Sequence, residues 1–177
     1  MNLIGIPIRT IFSELLHTDD AYLITKAIMI YREKYTEIGI TGNTVYPGID
    51  EMLSTLNKTG YRAYVVTMKN TQDSQKVIRH LGFDHLILGI YGLSFEGYPD
   101  NKAELINSAL NENNLSQNET IMIGDRKEDI LSGKVNGLKT MGVTYGFGSR
   151  EEIVEALPDK ICHSPEDILR AIEIMSN

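Results

Sequence analysis

Helix-like and strand-like patterns alternate along this chain from residue 49 onward, and this alternation restricts the folds available to it. Four short apolar runs have the length and composition of buried strands: "YRAYVVT", "HLILGIYG", "TIMIG" and "LKTMGVTYG". Amphipathic segments of helix length separate them, and several of these end at Gly60, Gly82 or Gly137. Because parallel strands need a crossover connection that a helix commonly supplies, the pattern predicts an α/β fold with a doubly wound, Rossmann-like parallel sheet.

The chain before this region follows a different pattern. Apolar groups recur at three- and four-residue steps from residue 8 to residue 40, as expected for helices. Thr18 precedes the second helix and is predicted to cap it. The turn-forming segment "GITGNTVYPG" at residues 39–48 is typical of a linker. Further along, Ser149 and Ser164 are each followed three residues later by an acid, which predicts two more helix starts.

The composition excludes several classes of function. The formal net charge is −7, whereas a nucleic-acid-binding protein needs a basic face against the phosphate backbone. No apolar run reaches membrane-spanning length, and the first residues lack the features of a secretory signal. The single cysteine, Cys162, lies in an apolar stretch and is predicted to be a buried structural thiol, which fits a reducing compartment. We therefore expect a cytoplasmic protein that binds neither nucleic acid nor membrane.

Polar side chains stand at the ends of the predicted strands, where ligands bind in doubly wound sheets. Thr67 follows "AYVV", Asp125 follows "IMIG", and Lys102 begins a helix. A hydroxyl, a carboxylate and an ammonium at one sheet edge suit phosphate oxygens and Mg²⁺. Each has a structural alternative: Thr67 as turn chemistry, Lys102 as a solvated helix start, and Asp125 with Asp129 as acids that cap a helix. Their combination in this order favours a phosphate site over these alternatives.

Three segments carry a resemblance to a known family. They are "VVTMKN", "NKAELI" and "MIGDRKEDILSGKVNGLKTMGVTYGFGSREEI". They resemble the second, third and fourth motifs of the haloacid dehalogenase (HAD) superfamily, in particular its phosphoglycolate phosphatase-like and 5′-nucleotidase-like enzymes. The Gly-Asp-x-x-x-Asp block is the most specific of the three. The resemblance implies a HAD-type α/β core over residues 45–177 and a partial helical cap over residues 1–44.

The resemblance also implies roles for the residues singled out above. Thr67 would bind phosphoryl oxygens, and Lys102 would neutralise charge on the nucleophile and the phosphate. Asp125 would be a Mg²⁺ ligand, with Asp129 as an outer acid that positions it. The activity implied for the family is Mg²⁺-dependent hydrolysis of the phosphomonoester of a small metabolite or nucleotide.

Five residues beside these positions have less definite roles. Lys69 and Asn70 lie where the family often contacts substrate. Met68 and Asn70 depart, however, from the small-polar-then-proline pattern common there. Arg126 and Lys127 are predicted to be solvated residues at a helix start rather than ligands.

The first motif of the superfamily, a strand ending in Asp-x-Asp-x-Thr, has no counterpart in this sequence. Its first aspartate attacks phosphorus, and its second transfers the proton. Asp19 and Asp20 have no residue between them and no apolar strand before them. Six further aspartates are isolated in loops or at helix starts: Asp50, Asp73, Asp84, Asp100, Asp159 and Asp167. Judged from usual element lengths, about 30 to 40 residues of strand, loop and helix would be absent.

Without that motif, Asp125 would be a poor Mg²⁺ site by itself, because the ion requires octahedral oxygen ligation. We therefore predict weak or no phosphatase activity for the chain as written. The alternative is a catalytically inactive HAD-fold protein that serves as a binding or regulatory module. A phosphoacceptor receiver domain with Asp125 as the acceptor is excluded by the motif order and by the lack of an N-terminal acid pair.

The absent strand would leave the centre of the sheet unpaired, between the "AYVVT" and "IMIG" strands. Three arrangements would satisfy these edges: direct pairing of the two strands, a strand from the partner in a homodimer, or insertion of "NLIGIPI". Pro7 makes the last arrangement awkward, because proline cannot donate a ladder hydrogen bond. Direct or dimer-assisted pairing is the expectation.

Overall fold

The computed structural model describes residues 8–95, 99 and 101–175, and only the backbone of residues 36–38. Within these residues helices and strands alternate as the sequence predicts. Their order is α1 (Ile8–Leu16), α2 (Ala21–Ile38), α3 (Ile49–Lys58), β1 (Ala63–Asn70), α4 (Thr71–His80), β2 (Ile87–Leu93), α5 (Lys102–Glu112), β3 (Ile121–Gly124), α6 (Lys127–Val135), β4 (Lys139–Val143), α7 (Arg150–Glu155), β5 (Lys160–Cys162) and α8 (Pro165–Met175).

Helices α1 and α2 pack against each other as a hairpin before the linker. The second helix is capped by Asp20, whose carboxylate accepts hydrogen bonds from the backbone N–H groups of Tyr22 (2.8 Å) and Leu23 (3.2 Å). The predicted capping role of Thr18 is therefore wrong. Its hydroxyl accepts a hydrogen bond from the Asp20 N–H, so it supports the true cap from two residues upstream.

All strand pairs are parallel, as the alternating pattern predicts. They form two separate sheets: β1 pairs with β2, and β3, β4 and β5 pair in that order. Within the described residues no backbone ladder joins β1 to β3, so the predicted direct pairing of these strands is wrong. Residues 2–7 of "NLIGIPI", the other intramolecular candidate, lie outside the described residues, and its last residue, Ile8, begins α1.

Helices on both faces pack against both sheets. Ile106 of α5 is buried in an apolar cluster against which the partly buried Val66 of β1 and Met122 of β3 pack. Successive strand residues point to opposite faces, so Ile123 of β3 faces away from α5. It joins a second apolar cluster that contains Met52 of α3, and α3 also contacts β1. Each of these helices therefore packs across both strands.

The burial of the strands reflects this division. Residues 140–143 of β4 are all buried, because β4 has a neighbouring strand on each side. All of β3 is only half-buried, and so are residues 63–69 of β1. These two strands have one partner each, and their free edges remain partly accessible.

Several boundaries agree with the sequence. The glycines predicted to follow α3, α4 and α6 adopt the left-handed conformation, with φ of 86° at Gly60, 79° at Gly82 and 69° at Gly137. Strand β1 extends to Asn70, beyond the predicted end at Thr67, and the short β5 was not predicted. In the described part of the chain, no helix is both long and apolar enough to cross a membrane. The boundary between a cap of residues 1–44 and a core of residues 45–177 stays a prediction.

Candidate functional site

Asp125 is the first residue after β3, and a glycine-rich loop holds it in place. Its Oδ2 accepts a hydrogen bond of 2.7 Å from the backbone N–H of Phe147. A side chain at Gly146 would overlap the Asp125 side chain, and one at Gly148 would overlap the Asp125 carbonyl oxygen. Only glycine permits so close an approach of the two backbones. The Gly-Asp motif and the "YGFGS" segment therefore form one structural unit.

Asp129 is paired with Lys102, the first residue of α5. The Lys102 Nζ donates to the Asp129 Oδ1, and the two side chains are only 15% and 4% exposed, respectively. The other carboxylate oxygen, Oδ2, accepts a hydrogen bond of 3.0 Å from the Arg126 N–H and so caps the start of α6. The structure thus gives Asp129 the capping role that the sequence offered as an alternative, together with a buried lysine partner.

Glu152 belongs to the same region, although the sequence did not single it out as a site residue. Its Oε1 accepts hydrogen bonds of 2.8 Å from both the Arg126 Nε and the Lys127 N–H. The prediction of a solvated Arg126 is therefore wrong, since its side chain is 17% exposed and ion-paired to Glu152. Burial raises the pKa of Glu152, but the hydrogen bonds from Arg126 and Lys127 outweigh it and lower the pKa overall. The capping-box spacing of Ser149 and Glu152 was the only sequence signal for this acid.

Tyr145 lies within electrostatic reach of Asp125 and keeps its proton. Burial raises the pKa of its hydroxyl to about 12, with smaller contributions from Cys162 and from the Asp125 charge. Cys162 is 1% exposed, and burial raises the pKa of its thiol as well. The predicted buried, structural cysteine is confirmed, and a thiolate nucleophile at this position is disfavoured.

Thr67 and Lys69 lie near the end of β1, beside the helical hairpin. The Thr67 Oγ1 accepts a hydrogen bond of 3.1 Å from the Lys69 N–H. The Lys69 Nζ contacts Tyr35 of α2 in two ways: it donates to the hydroxyl and lies 4.9 Å from the ring centroid. This contact connects α2 to the end of β1.

Asn70 acts as the N-cap of α4. Its Oδ1 accepts hydrogen bonds from the N–H groups of Gln72 (2.9 Å) and Asp73 (3.2 Å). Its Nδ2 donates to the Leu93 carbonyl oxygen at 3.2 Å. Asn70 is also buried, so the structure gives its amide a local structural role. The substrate contact predicted for it stays a prediction.

The predicted site residues fall into two groups. Lys102, Asp125 and Asp129 surround the end of β3, whereas Thr67 and Lys69 line a cleft of about 150 Å³ between β1 and α4. No hydrogen bond or ion pair links the two groups in the part of the chain that the structure describes. The cause is the division of the strands, because β1 and β3 belong to different sheets.

Mg²⁺ is the cofactor that the resemblance implies, and the residues present fit it only in part. Asp125 offers a carboxylate at the sheet edge, but Phe147 already donates to one of its oxygens. Asp129 is neutralised by Lys102. Among the described residues, no three acidic, histidine or cysteine side chains converge on a common point. Mg²⁺ favours octahedral oxygen ligation, so these residues alone do not form a complete Mg²⁺ site.

Comparison with known proteins identifies the class that this fold and site define. A family model described as haloacid dehalogenase-like hydrolase matches residues 1–143. A 5′-nucleotidase from Pseudomonas aeruginosa is 35% identical over 159 residues, which are 90% of this chain and 72% of that protein. A phosphoglycolate phosphatase from Vibrio parahaemolyticus is 25% identical over 154 residues, which are 86% of this chain and 67% of that protein.

A solved structure agrees with these matches. The crystal structure of a predicted phosphatase from Clostridium acetobutylicum is 34% identical and superimposes with a TM-score of 0.89, covering 97% of this chain and 79% of the other. The parallel α/β fold expected from the sequence is therefore that of a HAD-like phosphatase. The chain belongs to the haloacid dehalogenase-like hydrolase family, as its motifs predicted.

Proposed function

We propose that this chain carries part of a phosphomonoesterase centre for a small phosphorylated metabolite or nucleotide. The observation that carries the proposal is the arrangement after β3, where a loop fixes Asp125 and a buried ion pair of Lys102 and Asp129 lies at the start of the next helix. A 5′-nucleotidase and a phosphoglycolate phosphatase among the relatives support this class of substrate.

Within this centre, each group has a distinct chemical role. Asp125 would bind Mg²⁺, which polarises a phosphoryl oxygen when it is bound. Lys102 would neutralise phosphate charge, while Asp129 holds its ammonium in position. Thr67 and Lys69 would contact phosphoryl oxygens or the rest of the substrate from the end of β1.

We further propose that the chain by itself hydrolyses phosphomonoesters negligibly. The mechanism of the family requires an aspartate nucleophile after an apolar strand, and this sequence has no Asp-x-Asp-x-Thr segment. The test is an assay of the purified chain with Mg²⁺ and phosphoglycolate, nucleoside 5′-monophosphates or p-nitrophenyl phosphate. We expect the same background rate from the wild type and from Asp125→Asn. Robust Mg²⁺-dependent turnover that disappears in Asp125→Asn would contradict the proposal.

A second candidate is a binding or regulatory module that retains the fold without the chemistry. The shallow cleft of about 150 Å³ beside Thr67 and Lys69 favours it, because a site for the phosphate group of a ligand can persist there without the nucleophile. Calorimetric titration with a nucleoside 5′-monophosphate, in the wild type and in Thr67→Ala, tests this candidate. Saturable binding that weakens in Thr67→Ala, without turnover, supports the module. The cytoplasmic location and the homodimer stay predictions.

A further inference from the structure

We infer that Tyr35 of α2 binds the phosphate together with Lys69. Its hydroxyl donates a hydrogen bond to a phosphoryl oxygen and orients the Lys69 ammonium toward the same phosphate. None of the three family motifs in the sequence contains Tyr35. The inference rests on the proposed function, because it adds a residue from the helical hairpin to the phosphate site at the end of β1.

The Lys69 ammonium has neutral partners. It donates to the Tyr35 hydroxyl and lies 4.9 Å from the centroid of the Tyr35 ring. In the described part of the chain no carboxylate forms an ion pair with Lys69, whereas Lys102 is paired with Asp129. A hydroxyl and an aromatic face orient a cation without cancelling its charge. The charge of Lys69 therefore remains available to an anionic ligand.

Two hydroxyl groups beside Lys69 each have a proton to donate. The Tyr35 Oη accepts a hydrogen bond from the Lys69 Nζ, and the Thr67 Oγ1 accepts one of 3.1 Å from the Lys69 N–H. A hydroxyl that accepts a hydrogen bond can still donate its own proton. Among the hydrogen bonds of the described residues, both hydroxyls act only as acceptors. Two hydroxyl donors and an ammonium match the several acceptor oxygens of a phosphate.

Packing within the hairpin orients the Tyr35 ring. The centroid of the Tyr31 ring lies 5.7 Å from it, and the Phe12 ring of α1 lies 5.8 Å from that of Tyr31. A side chain at Gly39 would overlap the Tyr35 ring, so the backbone just after α2 also lies against it. These contacts restrict the ring. The hydroxyl is therefore oriented before a ligand arrives, which lowers the entropic cost of binding.

The alternative is a structural contact that only attaches α2 to β1. Tyr35, Thr67 and Lys69 are all half-buried, so a ligand can reach them from solvent. Thr67 and Lys69 also line the cleft of about 150 Å³. A phosphate bound there would accept both hydroxyl protons and pair with the ammonium at once, whereas a structural contact uses neither proton.

The test is the binding of inorganic phosphate to the full chain, followed by phosphorus NMR at neutral pH. Tyr35→Phe removes the hydroxyl and keeps the ring beside the ammonium. Tyr31→Phe is the matched control, because it removes a hydroxyl one turn earlier on the same helix that is not bonded to Lys69. Lys69→Met and the double variant Tyr35→Phe/Lys69→Met complete a double-mutant cycle.

We expect Tyr35→Phe to weaken phosphate binding by about tenfold and Tyr31→Phe to change it by less than about twofold. In the Lys69→Met background, loss of the Tyr35 hydroxyl should weaken binding by no more than about twofold, because the ammonium no longer orients that hydroxyl. Equal weakening by Tyr35→Phe and Tyr31→Phe would indicate a structural role and overturn the inference. The same factor for Tyr35→Phe in both Lys69 backgrounds would also overturn it.

The same titrations separate this inference from the proposed function. If Lys69→Met weakens phosphate binding and Tyr35→Phe does not, the inference is wrong and the phosphate site at the end of β1 is supported. If the wild type binds no phosphate, or if Lys69→Met binds it as tightly as the wild type, the proposed site itself is wrong, and the inference is wrong with it.

Discussion

Lys102 and Asp129 form an ion pair that belongs to the fold and that we propose also serves the phosphate site. Asp129 accepts one hydrogen bond from the start of α6 and pairs with Lys102 through its other oxygen. The pair is nearly buried, so its stability depends on both partners being present. A lysine that is fixed by a buried carboxylate is also oriented before a phosphate arrives, which favours binding of the charged ligand.

The pair yields a prediction about stability. Lys102→Met retains most of the aliphatic stem but leaves the Asp129 charge buried without its cation. We expect the free energy of unfolding, measured by urea denaturation at pH 7, to fall by about 3 to 5 kcal/mol. The double variant Lys102→Met/Asp129→Asn should be more stable than the single variant, because no uncompensated charge remains.

Lys76→Met is the matched control. Lys76 lies 3.8 Å from Asp73, but its side chain is 48% exposed. An exposed ion pair contributes little to stability, so we expect the free energy of unfolding of Lys76→Met to differ from that of the wild type by no more than about 0.5 kcal/mol. Equal losses in Lys76→Met and Lys102→Met would contradict the special role of the buried pair.

Glu152 yields a prediction about pH. Its folded-state pKa lies below the ordinary value of 4.5, so its carboxylate stabilises the fold above that value. The contribution disappears as the pH falls through the folded-state pKa. We expect the free energy of unfolding of the wild type to exceed that of Glu152→Gln by about 1 kcal/mol at neutral pH. This difference should shrink as the pH falls below 4.5 and through the folded-state pKa. Urea denaturation at a series of pH values measures this difference. The control is Glu151→Gln, a change at the neighbouring, exposed glutamate. A difference that widens on acidification would have the wrong sign for this explanation.

At the scale of single elements, the start of α2 tests a correction to the sequence analysis. Asp20, and not Thr18, caps this helix through two backbone N–H groups. Asp20→Ala should therefore destabilise the first turn by about 1 kcal/mol, seen as faster amide exchange in residues 22–25. Asp19→Ala removes the same charge from the neighbouring position, where the side chain accepts an exposed hydrogen bond from the Ser13 hydroxyl and caps no helix among the described residues. Equal effects of the two variants would show that charge, and not capping, matters here.

The sequence predicted most elements because their signals are local. Apolar spacing located the helices and strands, and the positive φ of Gly60, Gly82 and Gly137 agrees with their predicted roles as helix ends. The error at Thr18 was also local, since a shift of two residues in the helix start selects another capping side chain. Glu152 was missed for a different reason. Its partners Arg126 and Lys127 lie about 25 residues away in sequence, and no local pattern encodes that contact.

At the scale of the whole molecule, only the family resemblance indicated a gap between β1 and β3, and the direct pairing expected there is wrong. Each strand is recognisable by itself, but whether β1 and β3 pair is a matter of tertiary packing, in which α3 and α5 each contact both strands. The division also explains why the site residues form two groups, since Thr67 belongs to one sheet and Asp125 follows a strand of the other. Among the described residues no backbone ladder joins the two sheets. They are coupled by side chains that pack against the helices they share.

Coupling through helices alone predicts that the two sheets open separately. Leu93 of β2 and Met141 of β4 provide a matched pair, since they are only 1% and 0% exposed. Truncation of either side chain to Ala leaves a cavity that costs about 2 to 5 kcal/mol. We expect Leu93→Ala to lower the opening free energy of amides in β1 and β2, and Met141→Ala to lower that of amides in β3 and β4. Native-state hydrogen exchange at increasing denaturant measures both. If each variant lowered the opening free energy of all four strands equally, the two sheets would form one cooperative unit. In that case α3 and α5 would couple the sheets as strongly as a backbone ladder does.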